Sequence, residues 1–297
     1  MDQTQARRTS AEYGGMSDVG KRATLKGPTW FRFEMMPTEG AAEQAAYLPE
    51  GAKVAVSCSP AKGVEGTLAL SKELSGRGFR VVPHVSARLV EDEAHLEQIL
   101  RRLGGVGVKD IFVVGGDTKE PAGPFEDAFA LLSAMADVGH GFAHVGVTGY
   151  PEGHPTIADG DLRRALRDKL PFATYVVTQM CFDPEAILGW VAGIRREGIE
   201  LPVYVGIPGA VERRKLLRIS LRIGVGDSVR FLAKHANIVA SLFKPGYNPD
   251  TLVDELAPYI GDRDHNIAGF HVYTFNQVES TEKWRQRAPS LSGVAAG

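Results

Sequence analysis

The chain has 297 residues, 43% of them hydrophobic, and its 34 basic and 36 acidic residues give a formal net charge of -2. This length and apolar content allow a large buried core, in one α/β domain or two small ones. The balance of charge gives no reason to expect a nucleic-acid or membrane partner. The cysteines, Cys58 and Cys181, fall inside apolar runs, which indicates reduced core thiols rather than a disulfide framework.

The amino-terminal region is polar. Its first 25 residues lack the apolar segment of a signal peptide, and no apolar run in the chain reaches the length of a membrane span. Spacing typical of metal ligands is absent, so no metal is expected. We therefore expect a cytoplasmic protein with a flexible arm over 1–26 and a single domain over 27–297, and we leave open its assembly into a homo-oligomer.

Eight short apolar runs rich in β-branched residues predict strands. In chain order they cover 30–36, 53–59, 79–86, 110–116, 144–149, 173–182, 202–208 and 267–275. Between them, apolar residues at helical spacing predict helices. These cover 66–76, 91–103, 125–138, 161–170, 184–197, 213–223, 227–242 and 249–260. Eight strands alternating with helices predict a (β/α)₈ barrel. A doubly wound sheet is the competing fold, disfavoured because no Gly-rich dinucleotide fingerprint follows the first strand.

The segment 149–155 (GYPEGHP) directly follows the fifth predicted strand. Two prolines and two glycines prevent it from continuing as strand or helix, so it predicts a fixed loop that projects Tyr150, Glu152 and His154. In barrels of this kind, catalytic groups lie at the carboxyl ends of strands. The alternative is a rigid turn whose polar groups meet only solvent or cap the next helix.

Polar side chains also end the other predicted strands. Glu34 is the clearest case, because a carboxylate stands inside an otherwise apolar run, and desolvation there is expected to raise its pKa and suit it to general acid catalysis. Its alternative is a structural pair with a lysine or arginine. Asp117 follows two glycines that permit close approach of a flat ligand, or else it caps the next segment. Gln179 carries an amide that must find a polar partner. His84 alone is a weak signal.

Six strand-end segments together resemble those of one known family. They are 33–37 (FEMMP), 83–84 (PH), 116–117 (GD), 149–155 (GYPEGHP), 178–183 (TQMCFD) and 269–276 (GFHVYTFN). They are similar to the motifs of the methylenetetrahydrofolate reductase family, over about residues 30 to 280. The resemblance implies an FAD-dependent (β/α)₈ barrel. It passes a hydride from NADH or NADPH through the flavin to 5,10-methylenetetrahydrofolate and gives 5-methyltetrahydrofolate.

The resemblance also implies a role for each matching residue. Glu34 becomes the general acid that protonates the folate N10, and Asp117 stabilises the cationic iminium beside the flavin. Gln179, Tyr273 and Lys215 become substrate-binding residues. The flavin-contacting positions are Ser57, His84, Gly116, Asp117, Tyr150, His154, Asp161 and Lys169.

Two departures from the family pattern bear on the cofactor. Gly115 stands where the family has an arginine that meets the polar tail of the flavin, and Arg88 or Lys119 are candidate substitutes. A missing charge-assisted donor is worth about 1.5–3 kcal/mol if nothing replaces it. After the seventh strand, Lys215 and Ile219 replace a glutamine and a phenylalanine that sandwich the folate.

The sequence therefore predicts a flavin-dependent methylenetetrahydrofolate reductase. Alternatives within the class are a homologue that oxidises methyltetrahydrofolate and a reductase that transfers hydride directly from the nicotinamide without flavin. Two alternatives lie outside this class of enzyme. A Schiff-base lyase or aldolase is disfavoured because no strand interior carries a suitable lysine, and Lys53 stands at a strand start. The other alternative is a barrel that only binds its ligand.

Overall fold

The computed structural model describes residues 30–154, 156–212 and 249–287. Within these ranges, eight parallel strands close into a barrel in chain order, and the last strand pairs with the first. They are β1 (Phe31–Met35), β2 (Lys53–Val56), β3 (Arg80–Ser86), β4 (Asp110–Val114), β5 (His144–Gly149), β6 (Tyr175–Thr178), β7 (Val203–Pro208) and β8 (Ile267–Tyr273). The predicted (β/α)₈ barrel is confirmed, and the doubly wound sheet is wrong.

Helices cover the outside of the barrel. They are α1 (Ala41–Ala45), α2 (Gly63–Gly76), α3 (Glu93–Gly105), α4 (Ala128–Val138), α5 (Asp159–Lys169), α6 (Pro184–Arg196), α7 (Asp250–Leu256) and α8 (Val278–Gln286). The sequence predicted all of these except α1 and α8. The helices predicted over 213–223 and 227–242 lie outside the described residues, as does the arm over 1–26. None of the helices in the described ranges is long and apolar enough to cross a bilayer.

Side chains of β1 alternate between two layers, as the period of a strand requires. Phe31, Phe33 and Met35 are buried in the core between the strands and the helices. Arg32 and Glu34 occupy the alternate positions, which face the interior of the barrel. The polar residues of an otherwise apolar strand are therefore the ones that line the interior.

A charged cluster fills the interior where the strands begin, and we call it the barrel plug. It consists of Arg32, Lys53, Asp110, Tyr175 and Tyr204. The Arg32 guanidinium lies 4.0 Å from the centre of the Tyr175 ring and 3.6 Å from that of Tyr204. Asp110 accepts hydrogen bonds from the Lys53 ammonium at 2.8 Å and from the Tyr175 hydroxyl at 2.7 Å. The plug leaves the carboxyl ends of the strands as the place for a ligand site.

Candidate active site

Glu34 contacts two histidines inside the barrel mouth. Its Oε2 lies 2.9 Å from His271 Nε2 on β8 and 3.9 Å from His84 Nε2 on β3. Both imidazoles are buried, while 15% of the Glu34 side chain is exposed. Within the part of the chain that the structure describes, the ion pairs of Glu34 are with these histidines, and Arg32 is engaged with Asp110 one layer below. Glu34 therefore faces the mouth with histidines as its neighbours.

The pKa of Glu34 shifts in the opposite direction to the one expected from its burial. Burial raises it, but the hydrogen bond with His271, together with the charges that His84 and His271 carry when protonated, outweighs burial, and the net pKa lies below 4.5. The expected raised pKa is therefore wrong for the ligand-free protein. Burial lowers the pKa of His84 to about 4, so this imidazole is neutral near pH 7.

The residues that follow β8 hold the backbone around Glu34. The Thr274 hydroxyl donates to the Glu34 carbonyl at 2.6 Å. Asn276 Oδ1 accepts from the Met36 amide at 2.8 Å, and its Nδ2 donates to the Met36 carbonyl at 3.0 Å and to Thr38 Oγ1 at 2.6 Å. Asn276 has a φ of 59°, a left-handed conformation that asparagine tolerates better than most residues. Thr274 and Asn276, which we call the β8 clasp, therefore fix the position of Glu34.

Tyr273 and Gln179 lie together beside this cluster. The Tyr273 hydroxyl donates to the Thr178 carbonyl at 3.2 Å, and its ring centre is 5.0 Å from that of His271. Burial raises the pKa of Tyr273 well above 10. Gln179 follows Thr178 and accepts a hydrogen bond from the Met180 amide at 3.0 Å. The structure thus brings Glu34, Tyr273 and Gln179 to one side of the mouth.

The glycines after β4 differ in what they permit. Gly116 has a φ of 101°, and a Cβ there would lie 2.0 Å from Ser86 Oγ, so backbone conformation and packing require glycine. A Cβ on Gly115 would meet only the Ala128 amide nitrogen, at 4.0 Å. A Cβ is therefore accommodated at Gly115 but not at Gly116.

Asp117 is exposed at the end of this glycine pair. The next helix, α4, begins at Ala128 and is capped by Asp127, so the alternative of Asp117 as a helix cap is wrong. Together with burial, the charge of Asp117 raises the pKa of Tyr150 on the neighbouring loop. The ends of β4 and β5 therefore place Asp117 and Tyr150 within electrostatic range of each other.

The Arg88 guanidinium is bound to backbone carbonyls of the neighbouring loop. Its Nε donates to the Glu126 carbonyl at 2.8 Å, and its Nη1 donates to the carbonyls of Thr118 and Lys119, both at 3.0 Å. These bonds tie the loop after Asp117 back to the end of β3. The other candidate, Lys119, is exposed on that loop.

The predicted loop after β5 presents two aromatic rings. Tyr150 and His154 meet edge to face with ring centres 5.5 Å apart. A cavity of about 330 Å³ lies between this loop and helices α5 and α6, and its lining includes Tyr150, His154, Arg163 and Trp190. Glu34, Asp117 and Gln179 do not line it. Tyr150 and His154 therefore border this cavity, whereas the residues around Glu34 do not.

The remaining predicted residues are more dispersed. The Ser57 hydroxyl donates at 3.3 Å to the carbonyl of Met35, the residue that follows Glu34 on β1. Asp161 is exposed on α5 and pairs with Arg164 at 3.1 Å. Lys169 is buried at the end of α5, and this burial lowers its pKa to about 8. Lys215 lies outside the described residues, as does Ile219.

A closed parallel barrel with ionisable side chains at the carboxyl ends of its strands is the architecture of a (β/α)₈-barrel enzyme. A family model described as methylenetetrahydrofolate reductase matches residues 45–225. The chain belongs to the methylenetetrahydrofolate reductase family, as the strand-end motifs predicted.

Three relatives extend this comparison. Methylenetetrahydrofolate reductase 2 of Saccharomyces cerevisiae is 29% identical over 113 residues, which are 34% of this chain and 19% of that protein. Methylenetetrahydrofolate reductase 1 of Schizosaccharomyces pombe is 29% identical over 122 residues, 38% of this chain and 20% of that protein. Methylenetetrahydrofolate reductase (NADH) 1 of Arabidopsis thaliana is 26% identical over 234 residues, 68% of this chain. The chain spans 39% of that last protein and less of the other two.

Proposed function

We propose that this protein reduces 5,10-methylenetetrahydrofolate to 5-methyltetrahydrofolate, with NADH or NADPH as hydride donor and FAD as cofactor, in one catalytic domain over 27–297. Family membership supports the folate substrate. The observation that carries the mechanism is the Glu34 carboxylate, which faces the mouth and shares a 2.9 Å hydrogen bond with His271. Opening of the folate five-membered ring needs a proton at N10, and a mouth-facing acid supplies it.

Glu34 needs a proton before it can act as an acid. With a lowered pKa it is ionised at neutral pH in the ligand-free protein. A folate that covers the mouth excludes water from the carboxylate, which disfavours the charged form and raises its pKa. The carboxylate then takes up a proton from solvent and passes it to N10, which leaves Glu34 ionised again and paired with His271 Nε2. The β8 clasp keeps the Glu34 backbone in place during the transfer.

Two further groups suit the charge that develops on the substrate. The exposed Asp117 carboxylate favours the cationic iminium that forms when the ring opens. Gln179 and Tyr273 lie on the Glu34 side of the mouth, where an amide and a phenol bind the polar edge of a pterin or a nicotinamide. Lys215 is proposed as a substrate-binding residue on the resemblance alone.

The residues around the ends of β2 to β5 fit a flavin. A Cβ on Gly115, where the family has its arginine, would lie 4.0 Å from the amide nitrogen of Ala128, the first residue of α4. The positive end of a helix favours anionic groups such as the flavin phosphates. FAD, when bound, accepts hydride from the nicotinamide and gives it to the folate. The residues proposed to hold it are Ser57, His84, Gly116, Asp117, Tyr150, His154, Asp161 and Lys169.

Anaerobic assay of the purified protein tests this proposal. We expect NADH or NADPH oxidation that depends on methylenetetrahydrofolate, and flavin fluorescence that is quenched when FAD is titrated into the protein. Folate-dependent oxidation without any flavin binding would favour direct hydride transfer from the nicotinamide. Absence of folate-dependent turnover in either direction would refute the proposal.

The Schiff-base alternative is further weakened by the position of Lys53. This lysine belongs to the barrel plug, where its ammonium donates to Asp110 at 2.8 Å. A lysine nucleophile needs an accessible and neutral amine near the substrate. Lys53 is paired at the opposite end of the barrel interior from the Glu34 mouth.

A further inference from the structure

Three side chains of metal-ligating type converge on one point in the barrel mouth. Glu34, His84 and His271 each offer one ligand atom, and these atoms all lie within 4.8 Å of one another. Only 7% of His84 and 2% of His271 are exposed. Among the described residues, His84 Nε2 has no hydrogen-bond partner, although it is buried and only 3.9 Å from Glu34 Oε2. Leaving a buried polar atom without a partner is unfavourable, so this nitrogen is available to a ligand.

The donor set is suited to a transition metal ion. Two imidazoles and one carboxylate form the His₂Glu set of zinc enzymes and the 2-His-1-carboxylate set of non-haem iron. Donors at about 2.0–2.2 Å from a tetrahedral ion lie roughly 3.3–3.6 Å apart. The two distances from Glu34 Oε2, 2.9 and 3.9 Å, bracket that separation. The three ligand atoms lie within 4.8 Å of one another, so binding of one ion requires the side chains to close in by about 1 Å.

One aromatic ring packs against each of the two imidazoles. The Phe112 ring centre lies 4.7 Å from that of His84, and the Tyr273 ring centre lies 5.0 Å from that of His271. The nearest interior cation in the described chain, Arg32, already faces Asp110 and two tyrosine rings. The cluster is thus shaped by packing, and no described arginine or lysine neutralises the Glu34 carboxylate.

We propose that Glu34, His84 and His271 form a binding site for one divalent transition metal ion of the zinc type, with its remaining coordination position directed to the barrel mouth. The ion takes the Glu34 lone pair that otherwise carries the proton for N10. Metal binding therefore inhibits folate reduction reversibly. This consequence rests on the proposed function, whereas the binding site does not.

Titration with Co²⁺ tests the site without any folate or flavin. The full chain is first treated with a chelator, and the chelator is then removed. On addition of Co²⁺, it is expected to develop the visible absorption of Co²⁺ in a four-coordinate site, at one ion per chain. Zn²⁺ is expected to abolish this absorption by displacement. No visible band at millimolar Co²⁺ would overturn the proposal.

Single substitutions show which residues bind the ion. His84→Gln, His271→Gln and Glu34→Gln are each expected to weaken Co²⁺ binding at least tenfold. The matched control is His144→Gln, at an exposed histidine that begins β5, and it is expected to bind as the parent does. Circular dichroism selects the variants that fold. A band retained in the folded ligand variants, or lost in the control, would place the ion elsewhere and overturn the proposal.

Inhibition is measured separately. Zn²⁺ is expected to reduce methylenetetrahydrofolate-dependent NADH oxidation over the same concentration range in which it displaces Co²⁺. Full activity with the site saturated would overturn the inhibitory role. A Co²⁺ band in a protein without folate turnover would refute the reductase and leave the metal site standing. Folate turnover without a Co²⁺ band would refute the metal site and leave the proposed reductase standing.

Discussion

Replacement of Glu34 by glutamine separates the two hydride transfers of the proposed reaction. Reduction of bound FAD by NADH needs no proton at the folate N10, whereas reduction of methylenetetrahydrofolate does. Glutamine has nearly the same shape and can keep a hydrogen bond to His271 at about the present 2.9 Å. It has no proton to transfer. The change therefore removes the acid and leaves the packing of the mouth in place.

The expected effect is large in one half-reaction only. Loss of a general acid costs about 10²-fold or more in rate, which corresponds to ~2.7 kcal/mol or more in barrier height. We expect reoxidation of the reduced flavin by methylenetetrahydrofolate to slow by this factor, and reduction by NADH to stay within about tenfold. Stopped-flow absorbance of the flavin band measures each half. Glu185→Gln, the same change at an exposed position on α6, is the control and is expected to affect neither.

Two results would refute this reasoning. Equal slowing of both halves would mean that Glu34 holds the flavin or supports the structure rather than supplying the proton. No slowing of either half would mean that the acid is another residue, and the role inferred for Glu34 from the family resemblance would be wrong.

Three further changes have definite expected outcomes. Gly115→Arg is expected to lower the dissociation constant for FAD in a fluorescence titration, since space is open there and a guanidinium is a bidentate phosphate donor; equal or weaker binding would contradict this. Asn276→Ala removes the hydrogen bonds that hold Met36, so we expect a loss of about 1–3 kcal/mol in urea unfolding together with slower folate reduction, and unchanged stability would argue against the clasp. Burial lowers the pKa of Lys169 from 10.5 to about 8, so below pH 8 the folded protein carries a buried charge, and its stability should rise as the pH increases from 8 towards 10.5. Lys169→Met is therefore expected to be more stable than the parent at pH 7, on the order of 3 kcal/mol at most, with the difference fading by pH 10; a difference independent of pH would mean that Lys169 does not titrate there.

The barrel was predictable because its strands are buried and mostly apolar, with few polar residues in each, so each appears as a short β-branched run. The position of Glu34 followed from the same pattern, as the one carboxylate in the first run. Helix α1 escaped prediction because it has five residues, and α8 because its sequence VESTEKWRQ has few apolar positions. Neither segment has enough apolar residues at helical spacing to indicate a helix.

The partners of Glu34 were not predictable from local patterns. His271 lies 237 residues away in sequence, and only closure of β8 against β1 brings the two together. The direction of the Glu34 pKa shift depends on that contact, so burial alone gave the wrong sign. The β8 clasp could not be predicted from the sequence motif either, because the left-handed conformation of Asn276 is a property of the folded backbone.

The barrel plug limits the direction from which a reactant can reach Glu34. Arg32, stacked between Tyr175 and Tyr204, obstructs the interior below Glu34, so a reactant approaches the carboxylate from the mouth only. A channel open at both ends would let a donor and an acceptor arrive from opposite directions and meet inside. In the proposed reaction, the hydride donor and the folate therefore both approach Glu34 from the carboxyl ends of the strands, and neither reaches it through the opposite end of the barrel.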